Sequence, residues 1–367
     1  MQNPTVPRPL PARAGAANIS CALEWLRRAQ DKTGCGGVAA FYAAWGRWAP
    51  AYPETTGYII PTLFRCAGEF GEDLHARAVA MAEWLVVTQL PCGSFPDLTW
   101  KPGAPQTPSV FNTGQILFGL LDAYRHTSRP HYLESAVRAG TWLVAVQDED
   151  GKWSRFTYRN EVHSYNARVA WALLQLASVS RVPQFESAAL KHLDWVLSCQ
   201  AGNGWFRHTP FAGRRAFTHT IAYVLEGLTG AFEITGDPKY AMATRRTLDA
   251  ILPLIHTNGY LPGSFDEQWR GVPYCCLTGN CQLAALFFRY AGGEPYLQAG
   301  LRLLDFVDTV QNCKSQNPDV RGAIAGSWPL WGRYMMLRYP NWAAKFFIDA
   351  HFAADAVLRP APRTQAA

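Results

Sequence analysis

Charge is what this chain is short of: Asp, Glu, Lys and Arg make up 17% of it, against 49% hydrophobic residues. That balance excludes a disordered chain, a coiled coil and a solvated scaffold. The net charge of +6 is scattered, with no basic run of the kind that marks a nucleic-acid footprint, so no nucleic-acid partner is expected. No apolar stretch reaches the ~18 residues of a membrane span. Residues 1–13 are proline-rich and lack the apolar core of a secretory signal. The nine cysteines are odd in number and dispersed, which is no disulfide framework; reduced thiols in a cytoplasmic protein are the expectation. A glycine-rich phosphate loop, a serine nucleophile elbow and a dinucleotide fingerprint are also missing, and no cofactor is expected.

What the chain does have is aromatic residues, 13% in all with fourteen Trp, and a repeat that organises many of them. Three segments align: Trp84…Gln89…Gly93-Ser94-Phe95, Trp142…Gln147…Gly151-Lys152-Trp153, and Trp195…Gln200…Gly204-Trp205. With Trp25, the tryptophans stand 59, 58 and 53 residues apart, and degenerate copies fall at 251–260 and 303–324. Each unit reads as an amphipathic helix, then Gln, a turn, and Gly before an aromatic. Between them lie segments apolar on every side, at 56–70, 111–126, 164–178, 219–232, 277–290 and 341–357. Helices apolar all round are buried, and single-striped ones lie outside them. Six alternating pairs predict an all-α, double-layered (α/α)6 toroid over residues 16–358, with a lead-in at 1–15 and a tail at 359–367.

The short connections, such as Thr235-Gly236-Asp237-Pro238, belong to one end of this ring and the long ones to the other. Long loops at one rim, joined by the N-termini of all six inner helices, are where function is expected.

The Trp…Gln…Gly-aromatic pattern resembles the QW repeats of squalene/hopene-cyclase and prenyltransferase toroids. The inner-helix starts, among them Tyr52-Pro53-Glu54-Thr55-Thr56-Gly57-Tyr58, Phe111-Asn112-Thr113-Gly114-Gln115 and Cys276-Leu277-Thr278-Gly279-Asn280, are similar to single-toroid proteins found with bacterial exopolysaccharide biosynthesis enzymes. Asn160-Glu161-Val162-His163-Ser164-Tyr165 resembles a stretch of toroidal alginate lyases. These resemblances imply an acidic polysaccharide or oligosaccharide as substrate, synthase proteins as partners, and uronate epimerase or lyase chemistry.

That chemistry removes a proton at C5, next to a carboxylate. Tyr165 and Tyr223 are the candidate acid and base, assisted by His163 and His219, with Asn112, Asn166 and Arg168 holding the carboxylate. His219, Tyr223 and Glu226 share a helix face, and the repeat puts His219 level with His163. The alternative for both groups is a helix-capping or buried hydrogen-bonded network without chemistry. Tyr58, Gln115, Asn280, Asn341 and Lys345 extend the polar ring, while Trp328, Trp331, Arg333 and Tyr334 offer aromatic and basic contacts for sugars.

Glycoside hydrolysis is the second reading. It needs two carboxylates; Glu54, Asp97, Glu161, Glu226, Asp266 and Glu267 are available at or near the expected rim, and Glu54 paired with Glu226 or Asp266 would supply them. A non-catalytic polysaccharide-binding partner of a synthase is the third. Terpenoid cyclisation is the fourth, and the acidic Asp-x-Asp-Asp motif it uses is absent. Cys275, Cys276 and Cys281 lack the spacing of a zinc site and read as small core residues, so no metal is expected.

Overall fold

The computed structural model describes residues 15–100, 103 and 105–359. Except for Gly15 and Arg359, the expected lead-in and tail lie outside the described residues. Twelve α-helices occur among the described residues. Six form the inner layer: α2 (Pro53–Cys66), α4 (Val110–Thr127), α6 (Ala167–Ser180), α8 (Thr218–Thr235), α10 (Leu277–Arg289) and α12 (Asn341–Leu358). Each packs on the next, and α12 returns to α2, so the inner layer closes into a ring. The outer layer is α3 (Asp73–Thr88), α5 (Pro130–Ala145), α7 (Pro183–Ser198), α9 (Pro238–Ile251) and α11 (Glu294–Val310), each against the inner helix that precedes it. The first helix, α1 (Ala16–Asp31), packs on α12 and completes the sixth hairpin from the two ends of the chain.

The inner segments are buried nearly all round, as their uniform apolarity demands. The first of them runs Pro53–Cys66 rather than the expected 56–70. Proline at the first helical turn presets its φ, and the helix stops where Ala67 turns extended before Gly68, which has φ +85°. The third inner helix is preceded by a 3₁₀ turn at Ser164–Asn166.

The Gln and Gly of the repeat have one mechanical job. Gly36, Gly93, Gly151, Gly204, Gly259 and Gly322 all adopt φ between +80° and +98°. A Cβ at Gly93 would stand 2.7 Å from the Arg138 carbonyl oxygen of the next outer helix; at Gly322, 2.0 Å from that of Cys21 in α1. Only glycine permits both that φ and that approach. In two of the aligned repeats the Gln before the turn then ties the two together: Gln89 Nε2 donates to Gly93 O and Ser135 O at 2.8 and 2.9 Å, and Gln147 Nε2 to Gly151 O and Ala188 O at 3.0 and 2.9 Å. Gln311 does the same across the closure, to Gly322 O and to Asn18 O of α1.

The few strands are two or three residues long and sit in the long connections. Several join neighbouring sectors: Ala216–Phe217 pairs with Ser264–Phe265, Cys275–Cys276 with Ser327–Trp328, and Phe41–Ala43 with Arg338–Pro340. No described helix is long and apolar enough to cross a membrane.

Candidate functional site

The inner helices are registered at their N-termini by one repeated bond. The backbone N–H groups of Val110, Ser164, Thr218, Leu277 and Asn341 donate to carbonyls of the neighbouring long loop: Phe156, His208, Gly263, Gly326 and Ala40. Pro53, which has no N–H, stands at the sixth start. The residues that follow these anchors form a tier, and Glu54, Phe111, Tyr165, His219 and Trp342 of that tier line a cavity of about 690 Å³. Tyr52, Tyr58, Asp97, Asn112, Asn166, Tyr223 and Tyr334 complete much of its wall, with Tyr158, Arg159 and Phe211 from the loops. Glu54 and His219 come from the first and fourth of six sectors and so face each other across the ring.

Glu54 is buried, and burial pushes its carboxyl up to about 7, helped by the charge of Asp97. The Tyr52 hydroxyl donates to Glu54 Oε2 at 2.5 Å, which only partly offsets the burial. Asp97 opens onto the cavity mouth, walled enough by protein that desolvation raises it too; its Oδ1 accepts from the Leu98 N–H at 2.8 Å. Two carboxylates in different surroundings are the usual arrangement for separating an acid from a base.

The tautomer of His219 follows from its neighbours. A carboxylate offers only acceptors, so Gln282 turns its Nε2 to Glu226 Oε1 (3.1 Å) and its carbonyl oxygen to His219 Nδ1 (2.6 Å). Nδ1 therefore carries the hydrogen and Nε2 the lone pair. Burial, with the Arg168 charge acting the same way, holds the ring down to about 3, so it is a neutral imidazole at ordinary pH.

Below this tier the ring axis is closed. Arg168 Nε lies 2.7 Å from Glu226 Oε2, and its guanidinium also donates to Gln115 Oε1. The rings of Tyr58, Phe118, Trp171, Tyr223 and Phe346 surround it at 5.0–5.9 Å. Beside it Lys345 pairs with Asp349 at 2.6 Å.

The structure sorts the expected site residues into three groups. Glu54, Tyr58, Asn112, Tyr165, Asn166, His219, Tyr223 and Tyr334 meet in the cavity. Gln115, Arg168, Glu226 and Lys345 lie under its floor, so Glu226 is no partner for Glu54 across a substrate: it is spent on Arg168 and Gln282. Asp266 is likewise outside, beside Arg215 at 3.5 Å. The remainder stand elsewhere. His163 is not level with His219; it stacks behind Tyr165 with ring centroids 4.6 Å apart, Nε2 3.0 Å from the Tyr158 carbonyl oxygen. The 3₁₀ turn at Ser164–Asn166 carries Tyr165 and Asn166 inward and leaves His163 outside. Asn280 and Asn341 are braces, donating to Gly259 O and to Ala39 O and Thr55 Oγ1. Trp328, Trp331 and Arg333 are exposed on the last long loop and do not line the cavity.

The expected carboxylate clamp is therefore dismantled: Arg168 is neutralised, and Asn112 Nδ2 donates to Pro96 O at 2.8 Å. Asn166 alone keeps a free amide, buried, with neither Nδ2 nor Oδ1 bonded to protein. Burial raises the phenols of Tyr165 and Tyr223 well above their ordinary value, which makes them proton holders rather than bases. Asp97, one of the carboxylates expected at the rim, lines the cavity, where the expected pairing of Glu54 had been with Glu226 or Asp266. Tyr52 and Trp342 also belong to the cavity and were not among the expected site residues; the extra aromatic before Pro53 was the available signal for the first. Cys275, Cys276 and Cys281 are buried, with Cys276 pushed up to about 12, and no metal-binding cluster of His, Cys, Asp and Glu occurs among the described residues.

No protein-family model matches this chain, and no curated protein sequence does. Solved structures match over almost its whole length. A crystal structure of an unsaturated glucuronyl hydrolase specific for heparin is 16% identical, with TM-score 0.73, covering 93% of this chain and 97% of that one. Cellobiose 2-epimerase from Bacillus thermoamylovorans is 13% identical, with TM-score 0.71 over 91% and 98%. A sugar epimerase from a ruminal bacterium is 11% identical, with TM-score 0.71 over 94% and 99%. At these identities the likeness establishes the fold: an all-α toroid of six hairpins.

Proposed function

We propose that the chain is a carbohydrate-active enzyme that cleaves a glycosidic bond, with Glu54 as general acid and Asp97 as the second carboxylate. The observation that carries this is Glu54 itself: a buried carboxyl pushed up to about 7, raised further by the charge of Asp97, in an aromatic-lined cavity. Protonated Glu54 gives its proton to the glycosidic oxygen as the bond from the anomeric carbon to that oxygen breaks. Asp97 takes a proton from the water whose oxygen bonds to the anomeric carbon. Aromatic faces suit the apolar C–H faces of a sugar ring. The named solved structures, two of sugar epimerases and one of a glucuronyl hydrolase, support a sugar as the ligand.

A second reading is proton transfer at a ring carbon, as in an epimerase or a lyase, including C5 of a uronate. The neutral His219 with its Nε2 lone pair, opposite a protonatable Glu54, supports it. One experiment separates the two. The protein is incubated with neutral and acidic oligosaccharides in D2O. New reducing ends without deuterium in the sugar mean hydrolysis; deuterium at a ring carbon means epimerisation; new ultraviolet absorbance means elimination. Hydrolysis that Glu54→Gln leaves at the wild-type rate would remove Glu54 from the mechanism.

A further inference from the structure

The cavity has a floor, and the floor has no charge to offer. Arg168 blocks the axis, so nothing threads through the ring and a ligand enters end-on. Its charge is matched by Glu226 and that of Lys345 by Asp349, pair by pair. What faces upward is neutral. Asn166 lines the cavity at 1% exposure, and its buried amide holds one donor atom and one acceptor atom without a protein partner. It begins α6 without capping it, so the helix does not use this side chain. The Tyr58 and Tyr223 hydroxyls, near enough to bear on each other's ionisation, are also buried without an aligned hydrogen bond. His219, whose Nε2 the Gln282 bond fixes as an acceptor, lines the same space. Buried polar atoms without partners are rare in folded proteins, and a cluster of them at the base of a cavity marks the place of a ligand's own polar groups. Vicinal hydroxyls each donate and accept, which matches an amide edge and an imidazole acceptor. A carboxylate only accepts; it would leave Asn166 Oδ1 and His219 Nε2 unpaired and be desolvated near Glu54 and Glu226.

Resting on the reading of the cavity as a sugar site, we propose that its floor is a subsite for an uncharged sugar ring at a chain end. Asn166 and His219 Nε2 recognise adjacent hydroxyls there, and any acidic group of the substrate lies outward, toward Arg159 at the mouth, an exposed side chain whose contact with Glu161 is long, at 3.7 Å.

The test is calorimetric binding of the methyl glycosides of glucose, galactose and mannose, each against its matched methyl uronoside. At least one neutral glycoside is expected to bind ten-fold or more tighter than its uronoside. Asn166→Leu and Asn166→Ser are both expected to weaken that binding at least ten-fold, with an unchanged melting temperature showing that the fold survives. A uronoside that binds as tightly as its neutral partner, or neutral binding that both variants leave intact, overturns the proposal, whatever Glu54 does. Cleavage that depends on Glu54 without binding of any monosaccharide glycoside also overturns it, leaving the cleavage reading in place. If neither binding nor cleavage occurs on any sugar, the reading of the cavity and this inference fall together.

Discussion

Two layers of buried polar groups lie one above the other on the toroid axis, and they differ in how their charges and neutral groups are matched. In the lower layer every charge stands beside an opposite charge: Arg168 with Glu226 at 2.7 Å and Lys345 with Asp349 at 2.6 Å, inside a cage of aromatic rings, although the Arg168 Nε–Glu226 Oε2 contact is not aligned as a hydrogen bond and Gln115 Nε2 has no partner. In the upper layer the polar atoms are left over. The Asn166 side-chain amide has no protein partner, the Tyr58 and Tyr223 hydroxyls have none that is aligned, and Glu54 is held by Tyr52 against a burial that pushes it up to about 7. The lower layer serves the fold and the upper one is kept for something from outside. Stability given up at a site is the usual correlate of function.

The largest effect that can break this contrast is on activity. Glu54→Gln keeps shape and removes the proton donor, and is expected to lower the turnover of any cleaved substrate by about 10²–10⁴-fold, read as initial rates of reducing-end release. Below the floor the same kind of change acts on the fold. Glu226→Leu leaves Arg168 buried and unpaired and is expected to cost about 3–5 kcal/mol in urea denaturation. Asn166→Leu, one layer up, is expected to cost less than about 1 kcal/mol, since it breaks no protein hydrogen bond. Equal costs would erase the distinction between the layers.

The pH dependence of stability sharpens it. Glu54 binds its proton more tightly folded than unfolded, so its contribution is fully present below the ordinary carboxylate value of 4.5 and is lost as pH rises through about 7. His219 runs the other way: held down to about 3, its contribution is present above 6.5 and lost as pH falls. The difference in unfolding free energy between Glu54→Gln and wild type is therefore expected to grow in favour of the variant between pH 4.5 and 7. It should reach the order of 3 kcal/mol and be flat beyond. The smallest effect is at the rim: Trp331, 71% exposed and outside the cavity, is expected to tolerate Ala within about 0.5 kcal/mol and with unchanged activity.

The architecture was legible because the repeat encodes it locally. Gln89, Gln147 and Gln311 each close a glycine turn and reach the next outer helix, so one bond written in sequence sets both the turn and the neighbour. Glu54 was legible for a related reason: Pro53 announces a helix start and fixes the direction in which the next residue points. The rest of the site depends on which side of a long loop faces inward, and that is decided by bonds between sectors, such as Ser164 N–H to His208 O. Nothing near His163 in the sequence says that it stays outside while Tyr165 turns in. Nor does the spacing of Arg168 and Glu226, on different helices, reveal that they meet and cancel. The tryptophans of the last loop were persuasive by composition, but Trp328 and Trp331 lie outside the cavity while Trp342, two residues into α12's sector, lines it.

The central claim is that Glu54 holds its proton near neutral pH. Carbon-13 NMR of glutamate-labelled protein, wild type against Glu54→Gln, isolates its carboxyl resonance through a pH titration. A midpoint close to 7 is the predicted result; a midpoint near the ordinary glutamate value of 4.5 would contradict the account.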